Sequence, residues 1–299
     1  MLFIRNIKKL AGNVIDLSLR SSISQELDAA GLLMLPAVID PHVHFRTPGM
    51  EYKEDWRTGA KAAIRGGCTT VFDMPNTIPP TITSELLTEK KQLIDTQLRE
   101  VGVELRYQLF FGADKSHFAE IPKVKDRVIG IKVFMGCSTG NLVVDDDESL
   151  HAVFSIAAQN NLLVAVHAED EALMHQKRKA YTGSMNYAAH SILRDTEVAT
   201  RAVAKAIALS KQYQTRLYIL HVSTADEVAL IRDAKKAGIR VYAETTPHHL
   251  FFDTSAYQHL SGKAVVNPPL RDAIHKAALI EAIQQGVIDT IGSDHAPDR

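Results

Sequence analysis

From Val38 onward, short apolar runs rich in β-branched residues alternate with segments of helical pattern, and no other feature limits the fold of this chain as much. The runs lie at 38–45, 69–74, 104–111, 128–135, 162–167, 215–222, 239–245 and 287–292. Helical patterns lie between them near 52–66, 84–100, 115–125, 148–160, 190–212, 224–237 and 272–285. Near-continuous apolar strands belong to a parallel sheet covered on both faces. Eight of them with helices between predict an α/β fold, a (β/α)8 TIM barrel. Local signals agree. Thr224-Ala-Asp-Glu227 reads as a capping box with Gly238 as its stop, and Trp56, Ala60, Ala63 and Ile64 share one helical face. Asp272 and Gly286 would bracket the last helix, and Glu171 to Ala180 gives the long 170–190 loop a helical start.

Ahead of the barrel, residues 1–36 hold three short apolar runs, Leu2 to Ile7, Val14 to Leu19 and Leu32 to Leu35. They predict a small accessory β segment, leaving 37–299 as the barrel domain. The barrel is read as lacking its last helix, because the sequence stops at Arg299 soon after the eighth run. Three readings stay open: truncation, cover supplied by a neighbouring subunit, or a sheet that does not close. An apolar strip left on the first and eighth strands would favour self-association, so a homo-oligomer is expected.

The composition excludes several classes. A chain of 299 residues with 45% hydrophobic content can bury a sizeable core. A net charge of −1 gives no basic footprint for nucleic acid. No run reaches membrane-spanning length, and the N-terminal apolar run is too short for a secretory signal. Cys68 and Cys137 have no paired spacing, so a reducing cytoplasmic setting is expected.

Chemistry-bearing residues collect at the ends of the runs, where such barrels build their sites. The first ends in His42-Val-His44-Phe-Arg46, the second in Asp73-Met-Pro-Asn76, the fifth in His167-Ala-Glu-Asp170, the sixth in His221-Val-Ser and the eighth in Ser293-Asp294-His295. On a strand, His42 and His44 point to one face and make half a metal site. Lys132 lies inside the fourth apolar run. It is either an edge lysine whose head reaches water, or a desolvated lysine whose neutral amine can add carbon dioxide. Asp294 is a metal ligand, a general base, or the cap of a turn. The seventh run leads into Thr246-Pro-His248-His249, where adjacent histidines on a strand would face opposite sides.

These motifs, with Phe72-Asp-Met-Pro-Asn76-Thr, Gly130-Ile-Lys132-Val-Phe-Met-Gly-Cys-Ser-Thr-Gly140 and Asn267-Pro-Pro-Leu-Arg271, resemble the amidohydrolase superfamily. Within it they resemble the cyclic amidases, and among those the dihydroorotases of the long bacterial type. The resemblance runs from about Leu32 to Pro297. It implies two zinc ions per chain. His42, His44 and Asp294 would hold one, His167 and His221 the other, and Lys132, carboxylated as N6-carboxylysine, would bridge them. Arg46, Asn76 and Asn267 would hold the substrate. Asp294 would take a proton from the attacking water and return it to the leaving nitrogen. The implied reaction is the reversible ring closure of N-carbamoyl-L-aspartate to dihydroorotate in pyrimidine synthesis. Two features depart from the family besides the missing helix. Asp298 stands where the family carries a second histidine, and the N-terminal sheet region is short. Two alternatives follow: a hydantoinase- or dihydropyrimidinase-like amidase of neutral rings, or a weakly active barrel serving as structural partner of a transcarbamoylase.

Overall fold

The computed structural model describes residues 1–21, 23–137 and 142–298. The Ser138-Thr-Gly140 end of the lysine motif lies outside the described residues. The chain divides into two units, Met1–Val38 and the remainder from Ile39.

The first unit is a four-stranded sheet of β1 (Leu2–Lys9), β2 (Val14–Leu19), β3 (Gln25–Asp28) and β4 (Leu33–Met34). β1 pairs antiparallel with β2 and parallel with β3 and β4. β3 is not expected from the sequence. Its Gln-Glu-Leu-Asp run is polar and exposed, and it is held by backbone pairing and by Arg5, which binds Glu26 and Asp16 across the strands.

From the boundary onward come β5 (Val38–Val43), α1 (Trp56–Arg65), β6 (Cys68–Asp73), α2 (Ser84–Val101), β7 (Arg106–Gly112), β8 (Gly130–Phe134), α3 (Asp147–Gln159) and β9 (Leu163–His167). The chain continues with α4 (Glu171–Ala180), α5 (Tyr187–Leu193), α6 (Thr196–Tyr213), β10 (Arg216–Ile219), α7 (Ala225–Lys236), β11 (Val241–Thr245), α8 (Pro247–Phe251), α9 (Tyr257–Leu260), α10 (Ala273–Gln284) and β12 (Thr290–Ile291). The eight strands β5 to β12 lie in sequence order in one sheet, parallel throughout the pairs from β6 to β12. The ends approach each other. Val43 forms a parallel bridge with His295, and Ser293 N–H donates to Asp40. The result is a nearly closed (β/α)8 barrel, as the alternation of runs predicts.

Period-two alternation sorts the strand side chains. Ile131, Val133, Val164, Val166, Leu217 and Ile219 join the large core that also holds Phe154, Val203 and Ile231 from the helices. Their alternates Ala165 and Tyr218 join Phe110 and Met74 in a separate small cluster. Lys132 pairs in register with Ala165, between β7 and β9, and is 1% exposed. The edge-lysine reading is thereby overturned.

Helix boundaries follow their caps. α1 starts at Trp56 rather than residue 52, because Asp55 and Thr58 form a capping box. The capping box at Thr224 and Glu227 starts α7 as expected. The pattern over 190–212 splits into α5 and α6, since Asp195 accepts from Val198 N–H and caps a new start. Segment 115–125 yields a 3-10 turn, Phe118–Val124, because Pro122 inside it has no N–H to give. Asp272 precedes α10 but makes no side-chain cap; its carboxylate accepts from Thr254 instead.

Candidate active site

The C-terminal ends of the strands bring His42, His44 and Asp294 together, with His167 and His221 alongside. His42 Nε2 and His44 Nε2 stand 3.3 Å apart. Asp294, beyond β12, places Oδ1 3.1 Å from each of them. The other ring nitrogens are committed. His42 Nδ1–H donates to Glu244 Oε1 at 2.8 Å, and His44 Nδ1–H to Asn76 Oδ1 at 2.8 Å. Both Nε2 atoms are then bare lone pairs facing a carboxylate oxygen. Three electron-pair donors this close repel unless a cation lies among them, and tetrahedral ligands at about 2.0–2.2 Å sit about 3.3 Å apart. Among the described residues, His42, His44 and Asp294 are also the one group of potential ligands whose donor atoms all lie within 4.8 Å of one another. The donor set fits a zinc-like ion.

A second pair lies alongside. His167 Nδ1 is 3.0 Å from His221 Nε2, and the His42 and His221 rings are 5.4 Å apart. His167 Nε2–H donates to Glu169 Oε2 at 2.7 Å. Its Nδ1 is thus the bare atom, and it faces His221 Nε2. His221 Nδ1 is buried and has no partner among the described residues. Lys132 Nζ sits 4.6 Å from the centre of the Phe134 ring. Burial lowers its amine to about 7, against the opposing pull of Asp294 and Glu244. A neutral amine is the form that adds carbon dioxide, so the residue meets that requirement.

Burial lowers His44 to about 4 and His221 well below the ordinary histidine range. It would raise Glu169, but Arg194 and His167 outweigh it and hold that carboxyl below the usual range. Backbone strain gathers at the same place. Arg46, His221 and Asp294 have φ of 63°, 41° and 50°. A non-glycine residue enters that region at a cost of roughly 1–3 kcal/mol, typically where a site demands it.

The substrate candidates are less gathered. Arg46 is buried and its Nε–H donates to Pro297 O at 3.0 Å. Asn76 touches the cluster directly through His44. Asn267 makes no hydrogen bond to the cluster among the described residues; its Oδ1 is buried beside His190. Asp298 has an exposed side chain and pairs with Lys53 Nζ at 2.5 Å. His248 and His249 do not face opposite sides of a strand, because Pro247–Phe251 is helical and their rings lie 4.5 Å apart. A cavity of about 590 Å³ opens between α4, α5 and Gly262, lined by Cys137, Met174, Arg178, His190 and Arg194. None of the predicted site residues lines it.

The sequence matches the amidohydrolase family over residues 33–298. This chain belongs to that family. The amidohydrolase is 35% identical to a dihydroorotase of Methanosarcina acetivorans over 93% of its own length, and 37% identical to one of Enterococcus faecalis, also over 93%. It spans only 60% and 63% of those two relatives. Among solved structures it resembles the L-hydantoinase (dihydropyrimidinase) of Arthrobacter aurescens, with a TM-score of 0.85 at 28% identity over 98% of this chain and 69% of that one. It also resembles the dihydropyrimidinase of Brevibacillus agri NCHU1002, with a TM-score of 0.82 at 28% identity over 99% and 69%.

Several supporting residues of this amidohydrolase escape a reading of the sequence. Glu244 is fully buried and receives Tyr218 O–H at 2.5 Å besides His42. A signal for it exists: a carboxylate inside the apolar run 239–245, as anomalous as Lys132. Glu169 and Arg271 stand inside recognisable motifs, yet neither carries a role that the motif announces. Asp73 binds the buried Lys90 at 2.5 Å and accepts Phe45 N–H at 2.8 Å, tying down the backbone between His44 and Arg46. Lys90 lies on α2, so no pattern along the chain announces that pair.

Proposed function

We propose that this amidohydrolase is the barrel of a dihydroorotase, catalysing the reversible cyclisation of N-carbamoyl-L-aspartate to (S)-dihydroorotate in pyrimidine biosynthesis. One observation carries the reading: three donor atoms converge within 3.3 Å, and the buried cation Arg46 follows two residues after His44. The curated relatives named dihydroorotase support the same assignment. His42, His44 and Asp294 would hold one zinc ion and His167 and His221 a second, with carboxylated Lys132 between them. Bound zinc would supply Lewis-acid polarisation and a lowered pKa for the attacking water.

The remaining work falls to the chain. Asp294 places Oδ1 against both Nε2 atoms, so its carboxylate could accept the proton of the attacking water and then deliver it to the leaving ring nitrogen. Glu244 and Asn76 keep the Nε2 lone pairs of His42 and His44 turned inward. Arg46 would hold the substrate carboxylate through its guanidinium, and Asn267 would help hold the substrate through its amide. Asn76 would border the same substrate. We place the enzyme in the cytoplasm as a homo-oligomer, with a transcarbamoylase as a structural partner to be tested.

A second reading, an amidase of neutral rings, is favoured by the hydantoinase-like solved structures. Arg46 opposes it, since a neutral ring gives a buried cation no anionic partner. The deciding experiment is turnover of L-dihydroorotate by the purified chain with zinc and bicarbonate. Hydrolysis that vanishes in Lys132→Ala is expected. Turnover of hydantoin or dihydrouracil with none of dihydroorotate would establish the second reading. Two bound ions with no turnover of any ring would leave the structural-partner reading.

A further inference from the structure

His167 and His221 are held from the rim of the barrel. His167 Nε2–H donates to Glu169, which is fully buried. Glu169 in turn receives Arg194 through two nitrogens, Nε to Oε1 at 2.9 Å and Nη2 to Oε2. Arg194 belongs to no strand. It is the residue that ends α5, between that helix and the Asp195 cap of α6. Its Nη2 also donates to Cys137 O at 2.9 Å, and its backbone oxygen receives Arg271 Nη1–H. Arg271 is buried, and its Nε–H reaches Ser223 Oγ at 3.1 Å, two residues beyond His221. A chain of contacts therefore runs from His167 through Glu169, Arg194 and Arg271 to the strand end that carries His221. The His42 side is held within the sheet instead. Its carboxylate Glu244 is on β11, is anchored by Tyr218 on β10 and also accepts the backbone N–H of His221 at 3.4 Å.

The geometry points to Arg194 as a positioning residue for one half of the centre alone: through Glu169 it fixes the His167 tautomer that presents Nδ1 to His221. The physical basis is bidentate. A guanidinium fork locks the carboxylate plane, and the locked carboxylate takes the proton of Nε2. Lysine, a point charge, can hold Glu169 but not its plane. Glutamine at 194 keeps length and polarity but loses the charge and the fork. This inference rests on the two-ion reading above.

The test is stepwise binding of cobalt ions to the chelator-stripped chain with bicarbonate, followed by equilibrium dialysis and visible absorbance. The wild-type chain is expected to take two ions. Arg194→Gln should weaken one of them by about 10- to 100-fold and leave the other unchanged. Arg194→Lys should fall between, and it serves if the glutamine variant does not fold. The half is identified by coupling. In a His167→Ala background, Arg194→Gln should add no further loss; in a His42→Ala background it should weaken the ion that remains. Glu244→Gln should weaken the His42 half more than the His167 half, with some loss at both because Glu244 also accepts His221 N–H. Equal weakening of both ions by Arg194→Gln, or no weakening of either, overturns the proposal while leaving the two-ion reading in place. A wild-type chain that takes fewer than two ions overturns that reading, and the proposal with it.

Discussion

The two histidine pairs of the cluster perform similar work but hang from different parts of the barrel. His42 and His44 are oriented by Glu244 and Asn76, at the ends of β11 and β6, and Glu244 is braced by Tyr218 on β10. His167 is oriented by Glu169, which depends on Arg194 at the end of a rim helix. The first pair already presents bare lone pairs to Asp294. In the second, His221 has no acceptor for its Nδ1 among the described residues, so its ring is less firmly set than those of the first pair. Strands held by neighbours on both sides move least, and rim segments open at lower cost. The first half is therefore the more pre-built, and the first ion is expected to enter there.

The largest effect belongs to the group that faces both pairs. Asp294→Ala should cut turnover by about 100- to 10,000-fold, the usual worth of a proton-transfer group. A loss confined to ion affinity, with turnover recovered at saturating zinc, would strip Asp294 of its proton role and leave it a ligand only.

Gly292→Ala sharpens the contrast from the strand side. A Cβ there would lie 2.5 Å from the Glu244 carboxylate, which His42 and Tyr218 already fix in place. The displaced carboxylate, which also accepts His221 N–H, should weaken the His42 half by about 10- to 100-fold in cobalt titration and the His167 half by less. Equal loss at both would show that the halves share one support.

Lys132 tests what the pairs have in common. Its amine is lowered to about 7 by burial, against 10.5 for an exposed lysine. Above pH 7 the folded chain holds it neutral and open to carbon dioxide; below pH 7 it is protonated and closed. Labelled bicarbonate and carbon NMR on the metal-free chain should show a carbamate signal that grows as pH rises through about 7. The sign for stability is the same. Between about 7 and 10.5 the unfolded chain holds the proton that the folded chain lacks, so metal-free stability should rise with pH in that window. A carbamate signal independent of pH would contradict the desolvated-amine account.

The smallest effect comes from the rim. Asp195→Ala removes the cap of α6 beside Arg194 and should cost about 1 kcal/mol in denaturant unfolding. Any change in ion affinity should fall on the His167 half; a change on the His42 half would break the comparison.

Residue type and position along the chain make part of this legible. Histidine, lysine and aspartate at the ends of apolar runs are chemically expensive there, so His42, His44, Lys132, His167, His221 and Asp294 stand out in the amino-acid order alone. Alternation points to a parallel sheet covered on both faces and eight runs to a barrel, while the approach of its ends, at the Val43–His295 bridge, is seen only in the tertiary structure. Other features depend on contacts remote in sequence. Glu244 meets His42 across 202 positions, and Arg194 reaches Glu169 from 25 residues away. The break between α5 and α6 turns on one cap inside a continuous apolar pattern. The tautomers, and with them the difference between the two halves, are set by which acceptor stands opposite each ring nitrogen. That is a property of strand order and helix ends, and only the tertiary structure decides it.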